Sequence, residues 1–356
     1  MPKAFININT ENYFMKQRLN RFFSPLYIRW IIAILLVVLP ITSVGLYKYF
    51  HPDIYRIPSN PDNLQEITLF ALGDQGSGSQ AQRAVASSME KVAKKNKNLD
   101  FVVLLGDNFY IDKKLTETSS EWNTRFEEMY SGLHLSTVPF YAVLGNNDID
   151  LSVNKNTHPE IEYSKKSLGS NRWRMPAHYF SNDYGISNGR PLLRIVYLDT
   201  NATKEELLKQ ADYIREQFIK NPVKPIWKIV AGHHTIRSCG KHYNDKTRLA
   251  EMLLPVLQES EVDIYLSGHD HNQQLIVKDG EPGYVINGAG GKSLYPQKTD
   301  SDDLRFFRKG YGFVSLKVNA TKLSLEYYDD AANKVSSHEL QRDCKHLSSN
   351  CIKAIK

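Results

Sequence analysis

The chain is poor in cysteine and has no Cys-x-x-Cys pair. Its 356 residues include three cysteines. Cys344 and Cys351 lie close together near the C terminus and could pair in an oxidising compartment, which would leave Cys239 outside that disulfide. A single cysteine without such a partner is more often a small buried residue than a metal ligand. A thiolate metal site is therefore not predicted.

The chain also lacks an excess of positive charge over most of its length. The net charge is +6, but residues 1–50 contain six Lys or Arg against one Glu and account for +5 of it. The remaining 306 residues are almost neutral, so a basic face for nucleic acid is not indicated. The hydrophobic fraction of 41% and charged fraction of 24% are ordinary for a globular protein, and we find no internal repeat.

Only one uncharged hydrophobic run is long enough to cross a bilayer, at residues 30–47. Five basic residues precede it, which favours a cytoplasmic N terminus and an extracytoplasmic remainder. A cleaved signal peptide is the alternative, with a secreted product, but no Ala-x-Ala site follows the run. The predicted organisation is a cytoplasmic segment (1–29), a single-pass anchor (30–47), a proline-rich linker (48–65), one main folded domain (66–330) and a tail (331–356).

From residue 66 onward, strand-like and helix-like patterns alternate, which is typical of α/β proteins with a mainly parallel sheet. A long loop is expected from Asp148 to Ala177, and successive strands are expected towards the C terminus. The predicted helices cover residues 79–95, 121–132, 204–218 and 246–259, and the predicted strands cover residues 67–72, 101–105, 140–144, 192–199, 226–231, 262–267, 283–288, 312–318 and 323–328.

Five short segments follow predicted strands and carry side chains of the kinds that bind metals. Because open α/β sheets place their sites at the carboxyl ends of strands, these side chains are expected to gather there. Any one segment has a structural explanation, such as a turn with a capping Asp, but five in series favour a two-metal hydrolase with Asp107 as the bridging carboxylate. The predicted ligands are Asp74, Asp107, Tyr110, Asn146, His233, His269 and His271.

The order of these segments resembles the calcineurin-like metallophosphoesterase superfamily. That superfamily usually opens with Asp-x-His, but Gly76 stands at the histidine position here, and Tyr110 follows Asp107 in a Gly-Asp-x-x-Tyr pattern. This combination resembles the purple acid phosphatases, in particular their tartrate-resistant branch. The resemblance covers residues 67–329 and implies a four-layer αββα sandwich and an acid phosphatase acting on phosphomonoesters. Further matching stretches are Arg125-Phe126-Glu127, Tyr163-Ser164-Lys165 and Asn287-Gly288-Ala289-Gly290.

The resemblance also implies a role for each candidate residue. A phenolate suits Fe(III), so Asp74, Asp107, Tyr110 and His271 would hold Fe(III). Asp107, Asn146, His233 and His269 would hold a second divalent metal, which could be Fe, Zn or Mn. A metal-bound hydroxide would attack a small phosphorylated substrate, and His242 would bind the substrate and protonate the leaving group.

Two positions depart from the family pattern. Asn147 stands where a phosphate-binding histidine is usual, and His234 replaces a tyrosine and could partly substitute for that histidine. We expect Asn147 to hydrogen-bond phosphate as a neutral donor, which leaves the pH optimum open.

Two alternatives remain open beside these predictions. One is a phosphodiesterase or nucleotide phosphatase with two divalent metals. Another is a non-catalytic cell-surface interaction protein on the same scaffold, although the full set of seven ligands argues against it. A nucleotide-binding P-loop is not indicated. Gly288 to Ser293 ends like one, but Ile286 stands where the first glycine belongs and Pro296 blocks the helix that should follow.

Overall fold

The computed structural model describes residues 66–149, 158–244, 247–343 and 352–354. These residues form two mixed β-sheets with α-helices, which confirms the α/β class. No helix within these ranges is long and apolar enough to cross a membrane. The predicted anchor at residues 30–47, Cys344 and Cys351 lie outside the described residues, so the anchor and the disulfide stay predictions.

The first sheet has eight strands in the order β15-β14-β13-β12-β1-β2-β3-β4. β1 to β4 run parallel to one another, whereas β12 to β15 and the β1–β12 pair are antiparallel. The strands are β1 (Ile67–Leu72), β2 (Phe101–Leu104), β3 (Phe140–Ala142), β4 (Trp173–Arg174), β12 (Gly312–Val318), β13 (Lys322–Asp329), β14 (Lys334–Gln341) and β15 (Ile352–Ala354).

The second sheet has seven strands in the order β11-β9-β10-β8-β7-β6-β5. Its central strands, β6, β7, β8 and β10, are parallel, and its outer pairs are antiparallel. The strands are β5 (Phe180–Ser187), β6 (Arg190–Tyr197), β7 (Trp227–Ala231), β8 (Ile264–Ser267), β9 (Gln273–Ile276), β10 (Gly283–Asn287) and β11 (Leu304–Arg308).

Side-chain oxygens cap the two longer helices whose first turns are described in full. The Ser79 side chain accepts a hydrogen bond from the Gln82 amide at the start of α1, and the Thr203 side chain does the same for Glu206 at the start of α4. The α-helices are α1 (Gln80–Asn96), α2 (Asn146–Ile149), α3 (Pro159–Lys165), α4 (Lys204–Arg215) and α5 (Thr247–Glu259).

Both faces of the second sheet are buried, which explains why its central strands are apolar throughout. In β6, Leu193 and Ile195 belong to a hydrophobic cluster shared with the first sheet. Val196, on the opposite face, packs in a second cluster with Ile214 of α4 and Leu253 of α5. Sheets with both faces covered give continuous hydrophobic runs rather than alternation.

Several elements differ from the sequence predictions. The segment 148–177, predicted to be a loop, contains α3 and β4, both of which are too short for a periodic pattern. The helix predicted at 121–132 is mainly a π-helical segment at Asn123–Glu127. Residues 334–341 form β14 and pair with β13, so the sheet continues beyond the predicted domain end at residue 330. β5, β9 and β11 were not predicted, since each is half-polar or borders a loop.

Candidate metal centre

The predicted ligands follow the carboxyl ends of parallel strands from both sheets. Asp74 follows β1, Asp107 follows β2, and Asn146 begins α2 after β3. In the second sheet, His233 follows β7 and His269 follows β8. Parallel strands present their carboxyl ends at one edge, so the fold brings these five segments together at a single place.

One group of donor atoms surrounds the Tyr110 hydroxyl. The Tyr110 hydroxyl donates to Asp74 Oδ1 at 3.0 Å and lies 2.8 Å from Asp107 Oδ2. His271 Nε2 is 3.1 Å from the same Asp74 oxygen and 3.4 Å from the Tyr110 hydroxyl. Two carboxylates, one phenol and one imidazole therefore converge on a common point.

A second group surrounds His233 Nε2. This nitrogen is 3.0 Å from Asn146 Oδ1, 3.2 Å from His269 Nδ1 and 3.4 Å from Asp107 Oδ1. Asp107 thus directs one oxygen to each group. The arrangement has the form of two adjacent metal sites that share a carboxylate.

Backbone carbonyls fix which imidazole nitrogens can bind a metal. His233 Nδ1 lies 2.8 Å from the Leu105 carbonyl oxygen, and His271 Nδ1 lies 2.7 Å from that of Ser293. A carbonyl oxygen only accepts hydrogen bonds, so each Nδ1 carries the hydrogen. The Nε2 lone pairs of both rings therefore face the converging donors, as in metal-ligating histidines generally.

The donor set is suited to a cation. Asp74 and Asp107 are 0% and 1% exposed, and within the described ranges no Lys or Arg forms an ion pair with either carboxylate. Ligand atoms of Asp74, Asp107 and His233 lie within 4.8 Å of one another. Buried carboxylates are costly unless they are paired or bind metal ions. Oxygen and imidazole donors without a thiolate fit two metal ions of intermediate or hard character.

The pKa shifts of Asp107 and Tyr110 agree with a cation at this site. Burial raises the pKa of Tyr110 far above its ordinary value, and the Asp74 and Asp107 carboxylates raise it further. Burial also acts to raise the pKa of Asp107, but His233 and the hydrogen bonds from Asn147 hold it below its ordinary value. Tyr110 could therefore become a phenolate ligand only beside a strongly charged cation.

Backbone strain is concentrated at the same place. Asp74, Asp107 and His269 have φ angles of 58°, 54° and 65°, in the left-handed region that non-glycine residues rarely adopt. The turn beside Asp107 also requires a glycine, since a Cβ at Gly145 would lie 2.1 Å from the Asp107 amide nitrogen. Such strain clusters at functional sites, where the surrounding structure stabilises it.

A buried acid that we did not predict holds two of the ligand-bearing loops together. Asp148, which is 0% exposed, accepts hydrogen bonds from the backbone amides of Asn108, Phe109 and Gly145. Asn108, also buried, donates its side-chain amide to Glu160 Oε2 at 2.9 Å. Burial and the nearby Asp107 charge raise the pKa of Asp148 to about 7. The position of Asp148 directly after Asn146-Asn147 was the feature of the sequence that could have indicated this role.

The three residues predicted to act on substrate all border the two donor groups. The His242 and His234 ring centroids lie 3.9 Å and 4.5 Å from that of His269. Burial, with a further effect from His233, lowers the pKa of His234 to about 3. Asn147 is exposed, and its side-chain amide donates to Asp107 Oδ2 at 2.6 Å. Asn147 therefore contacts the bridging carboxylate.

Two further residues support the histidines. Tyr295 stacks on His271 with ring centroids 4.1 Å apart, and its amide donates to the His271 carbonyl at 2.9 Å. Asp270, between His269 and His271, accepts hydrogen bonds from the His242 amide at 3.2 Å and from the Ser238 hydroxyl. Asp270 was visible in the Gly-His-Asp-His segment, whereas nothing in the local sequence indicated Tyr295.

The sequence matches two protein-family models. The model described as calcineurin-like phosphoesterase matches residues 67–273, and the model described as iron/zinc purple acid phosphatase-like protein C matches residues 282–338. The second match extends into β14, in agreement with the pairing of that strand in the first sheet.

Proteins named as phosphatases align with most of this chain. Purple acid phosphatase 3 of Arabidopsis thaliana is 31% identical over 296 residues, which is 76% of this chain and 76% of the relative. Purple acid phosphatase 7 of the same plant is 29% identical over 79% of this chain and 88% of its own. Tartrate-resistant acid phosphatase type 5 of Homo sapiens is 27% identical over 80% of this chain and 94% of its own.

Solved structures share the fold. GAP50, the anchor in the inner membrane complex of Plasmodium, aligns with a TM-score of 0.64 and 23% identity over 78% of this chain and 89% of its own. Purple acid phosphatase PPD1 from yellow lupin seeds aligns with a TM-score of 0.57 and 18% identity over 79% of this chain and 55% of its own.

Proposed function

Because this chain belongs to the calcineurin-like phosphoesterases, and within them to the purple acid phosphatases, we propose that it hydrolyses phosphomonoesters with Fe(III) and a second divalent metal. The chain is a phosphoesterase hydrolase with a binuclear metal centre. The observation that carries the proposal is the position of Asp107, whose two oxygens face the two donor groups separately.

The donor groups support a division of the metals. Asp74, Tyr110 and His271, with Asp107, would hold Fe(III), because this group contains all three anionic ligands. Asn146, His233 and His269, again with Asp107, would hold Fe, Zn or Mn as the divalent ion. Three anions against +5 leave about +2 to attract a phosphate dianion. When bound, the metals would lower the pKa of water and neutralise charge on the phosphate.

The chain's own residues would then orient the substrate and transfer a proton. His242 binds the substrate and protonates the leaving group, and its amide is held in place by Asp270. His234 is fixed by the Thr200 hydroxyl, 2.8 Å from its Nδ1, and contributes a neutral imidazole beside His269. Asn147 donates its amide to phosphate, which requires that amide to exchange its hydrogen bond with Asp107 for one with substrate.

We further propose a four-layer αββα sandwich for the catalytic domain. Support comes from the two hydrophobic clusters. One contains residues of both sheets together with Met89 of α1, and the other joins Val196 of β6 to Ile214 of α4 and Leu253 of α5. Helices on the outer faces of two facing sheets give this layered arrangement.

The proposed location is a membrane, with the catalytic domain outside the cytoplasm. The uncharged run at residues 30–47 and the five basic residues before it support an anchor with a cytoplasmic N terminus. The proposed partners are the bilayer and a small phosphorylated substrate, and nucleic acid is not among them. Protease added to intact cells should digest the catalytic domain, and full protection would contradict this orientation.

Phosphate release from an aryl phosphate tests the proposed activity directly. The purified full-length protein should hydrolyse p-nitrophenyl phosphate, lose that activity on chelation and regain it on reloading with iron and a divalent metal. Activity only on a phosphodiester, with two divalent metals and no iron, would contradict the proposal. Failure of the fully reloaded protein on every ester would instead favour a binding role.

A further inference from the structure

Two lysine–tyrosine pairs flank His271 at the metal centre. Lys241 Nζ lies 4.3 Å from the centroid of the Tyr295 ring, which itself stacks on His271 at 4.1 Å. Lys292 Nζ lies 4.2 Å from the centroid of the Tyr110 ring, and the Tyr110 hydroxyl is 3.4 Å from His271 Nε2. Both ammonium groups are therefore held over rings that contact the same metal-ligand histidine.

Neither of these two lysines is paired with a carboxylate in the part of the chain that the structure describes. Over the described ranges, neither Lys241 nor Lys292 forms an ion pair with a carboxylate, whereas Lys113 and Lys166 each pair with a glutamate at 2.6 Å. A ring contact orients an ammonium group without neutralising it. Lys241 is exposed and Lys292 is half-buried, so their charge is directed to the surroundings of the site.

The backbone holds Lys292 in this place. Its amide donates to the Asp74 carbonyl at 3.0 Å, and the Gly290 amide donates to the Gly73 carbonyl at 3.0 Å. These amides are occupied by protein carbonyls, so the Gly288 to Ser293 segment does not present them to phosphate as a P-loop would. What the segment brings to the site is the Lys292 side chain, together with the Ser293 carbonyl that fixes His271.

Lys241 is held by the segment that carries His242. The His242 amide donates to Asp270 Oδ1 at 3.2 Å, and the Gly240 amide donates to the Ser238 hydroxyl at 2.9 Å. Lys241 lies between these two anchored residues, so its backbone is fixed while its side chain reaches the Tyr295 ring. Both lysines are thus tied to segments that also position the metal centre.

We infer that Lys241 and Lys292 bind a second phosphate group, so that the preferred substrates are small esters carrying at least two phosphates. The inference rests on the proposed function, because the metal centre must receive the first phosphate. Its residual charge of about +2 is balanced by one phosphate dianion, and a second dianion then needs cations beyond the metals. Two ammonium groups supply them, and a lysine's flexible point charge suits phosphates at somewhat different distances.

A matched pair of sugar phosphates tests the inference. The full-length, metal-loaded protein is assayed with fructose 1,6-bisphosphate and with fructose 6-phosphate. The kcat/KM for the bisphosphate, divided by that for the monophosphate, is compared among variants. The wild-type ratio should exceed about 10, and Lys241→Gln should lower it by about 3-fold to 10-fold, mainly through KM. Lys241→Arg should keep most of the wild-type ratio, since the positive charge remains. Lys91→Gln, at an exposed position of α1, is the control and should leave the ratio unchanged.

Lys292 needs one additional measurement, because its ammonium group touches the ring of a metal ligand. Lys292→Gln should lower the same ratio while leaving the metal content of the protein unaltered. Equal losses for both sugar phosphates, with a change in metal content, would show that Lys292 acts through Tyr110 and would overturn its assigned role.

The outcomes separate this inference from the proposed function. A wild-type enzyme that hydrolyses both sugar phosphates with a ratio near 2, unchanged in Lys241→Gln, would overturn the inference and leave the phosphatase proposal intact. A metal-loaded wild-type protein that hydrolyses neither compound, nor any aryl phosphate, would refute the proposed function itself.

Discussion

Replacing Asp148 by alanine should loosen the metal centre without removing a ligand. Asp148 accepts backbone hydrogen bonds from Gly145 at 2.8 Å, Asn108 at 2.9 Å and Phe109 at 3.1 Å, and its side chain is fully buried. In Asp148→Ala these three amides lose their acceptor. Each buried, unsatisfied donor costs about 1–3 kcal/mol, and water entering the space would recover part of that cost. We expect a loss of about 3–6 kcal/mol in the free energy of unfolding.

The same hydrogen bonds position three ligands, so metal binding should weaken as well. Asn108 and Phe109 lie between Asp107 and Tyr110, and Gly145 directly precedes Asn146. Loss of groups that orient metal ligands typically lowers metal affinity by about 10-fold to 100-fold. The assays are denaturant unfolding of the metal-free and metal-loaded protein, and metal content after dialysis.

Two control variants sharpen this test. Asp148→Asn keeps one acceptor oxygen and should fall between wild type and Asp148→Ala. Asp112→Ala removes an exposed carboxylate from the same stretch of chain and should change neither quantity. Unfolding free energy and metal retention equal to wild type in Asp148→Ala would refute the argument that this carboxylate holds the two loops.

Two further predictions concern single positions. Asn147→His places an ionisable donor beside the bridging carboxylate, so the KM for phosphate esters should fall by about tenfold below pH 6, where the imidazole is charged, and an unchanged pH profile would contradict a role in binding phosphate. Burial raises the pKa of Asp100 to about 6, so its contribution to stability falls as pH rises from about 4 to 6. The free energy of unfolding of Asp100→Asn should therefore exceed that of wild type by at most about 3 kcal/mol above pH 6 and should equal it below pH 4. The same difference between the two proteins at all pH values would contradict this reasoning.

The family and the α/β class could be predicted because their signals are local in sequence. Five of the seven donors stand two residues after a predicted strand end, Tyr110 stands three residues after Asp107, and His271 stands two residues after His269. Gly76 and Tyr110 then distinguished the purple acid phosphatases from other members of the superfamily, and the comparisons confirm that prediction. Parallel strands present their carboxyl ends at one edge of the sheet irrespective of loop conformation, so the donor residues could be predicted without knowledge of tertiary contacts.

The remainder depends on contacts between distant segments. Tyr295 stacks on His271 from a loop that has no periodic pattern, and Lys241, in the loop after β7, lies over the Tyr295 ring. In the sequence, Asp148 looks like an ordinary capping residue, and only the fold shows that its carboxylate joins two loops. β14 was missed because its alternating polar residues belong to a sheet with one half-exposed face.

The central claim is that two metals share Asp107 and that Tyr110 binds the trivalent one. The visible absorption spectrum and metal content of the purified protein test this claim most directly. We predict two metal ions per chain, at least one of them iron, and a visible charge-transfer band that disappears in Tyr110→Phe. Two divalent ions without iron, or a band that persists in Tyr110→Phe, would contradict it.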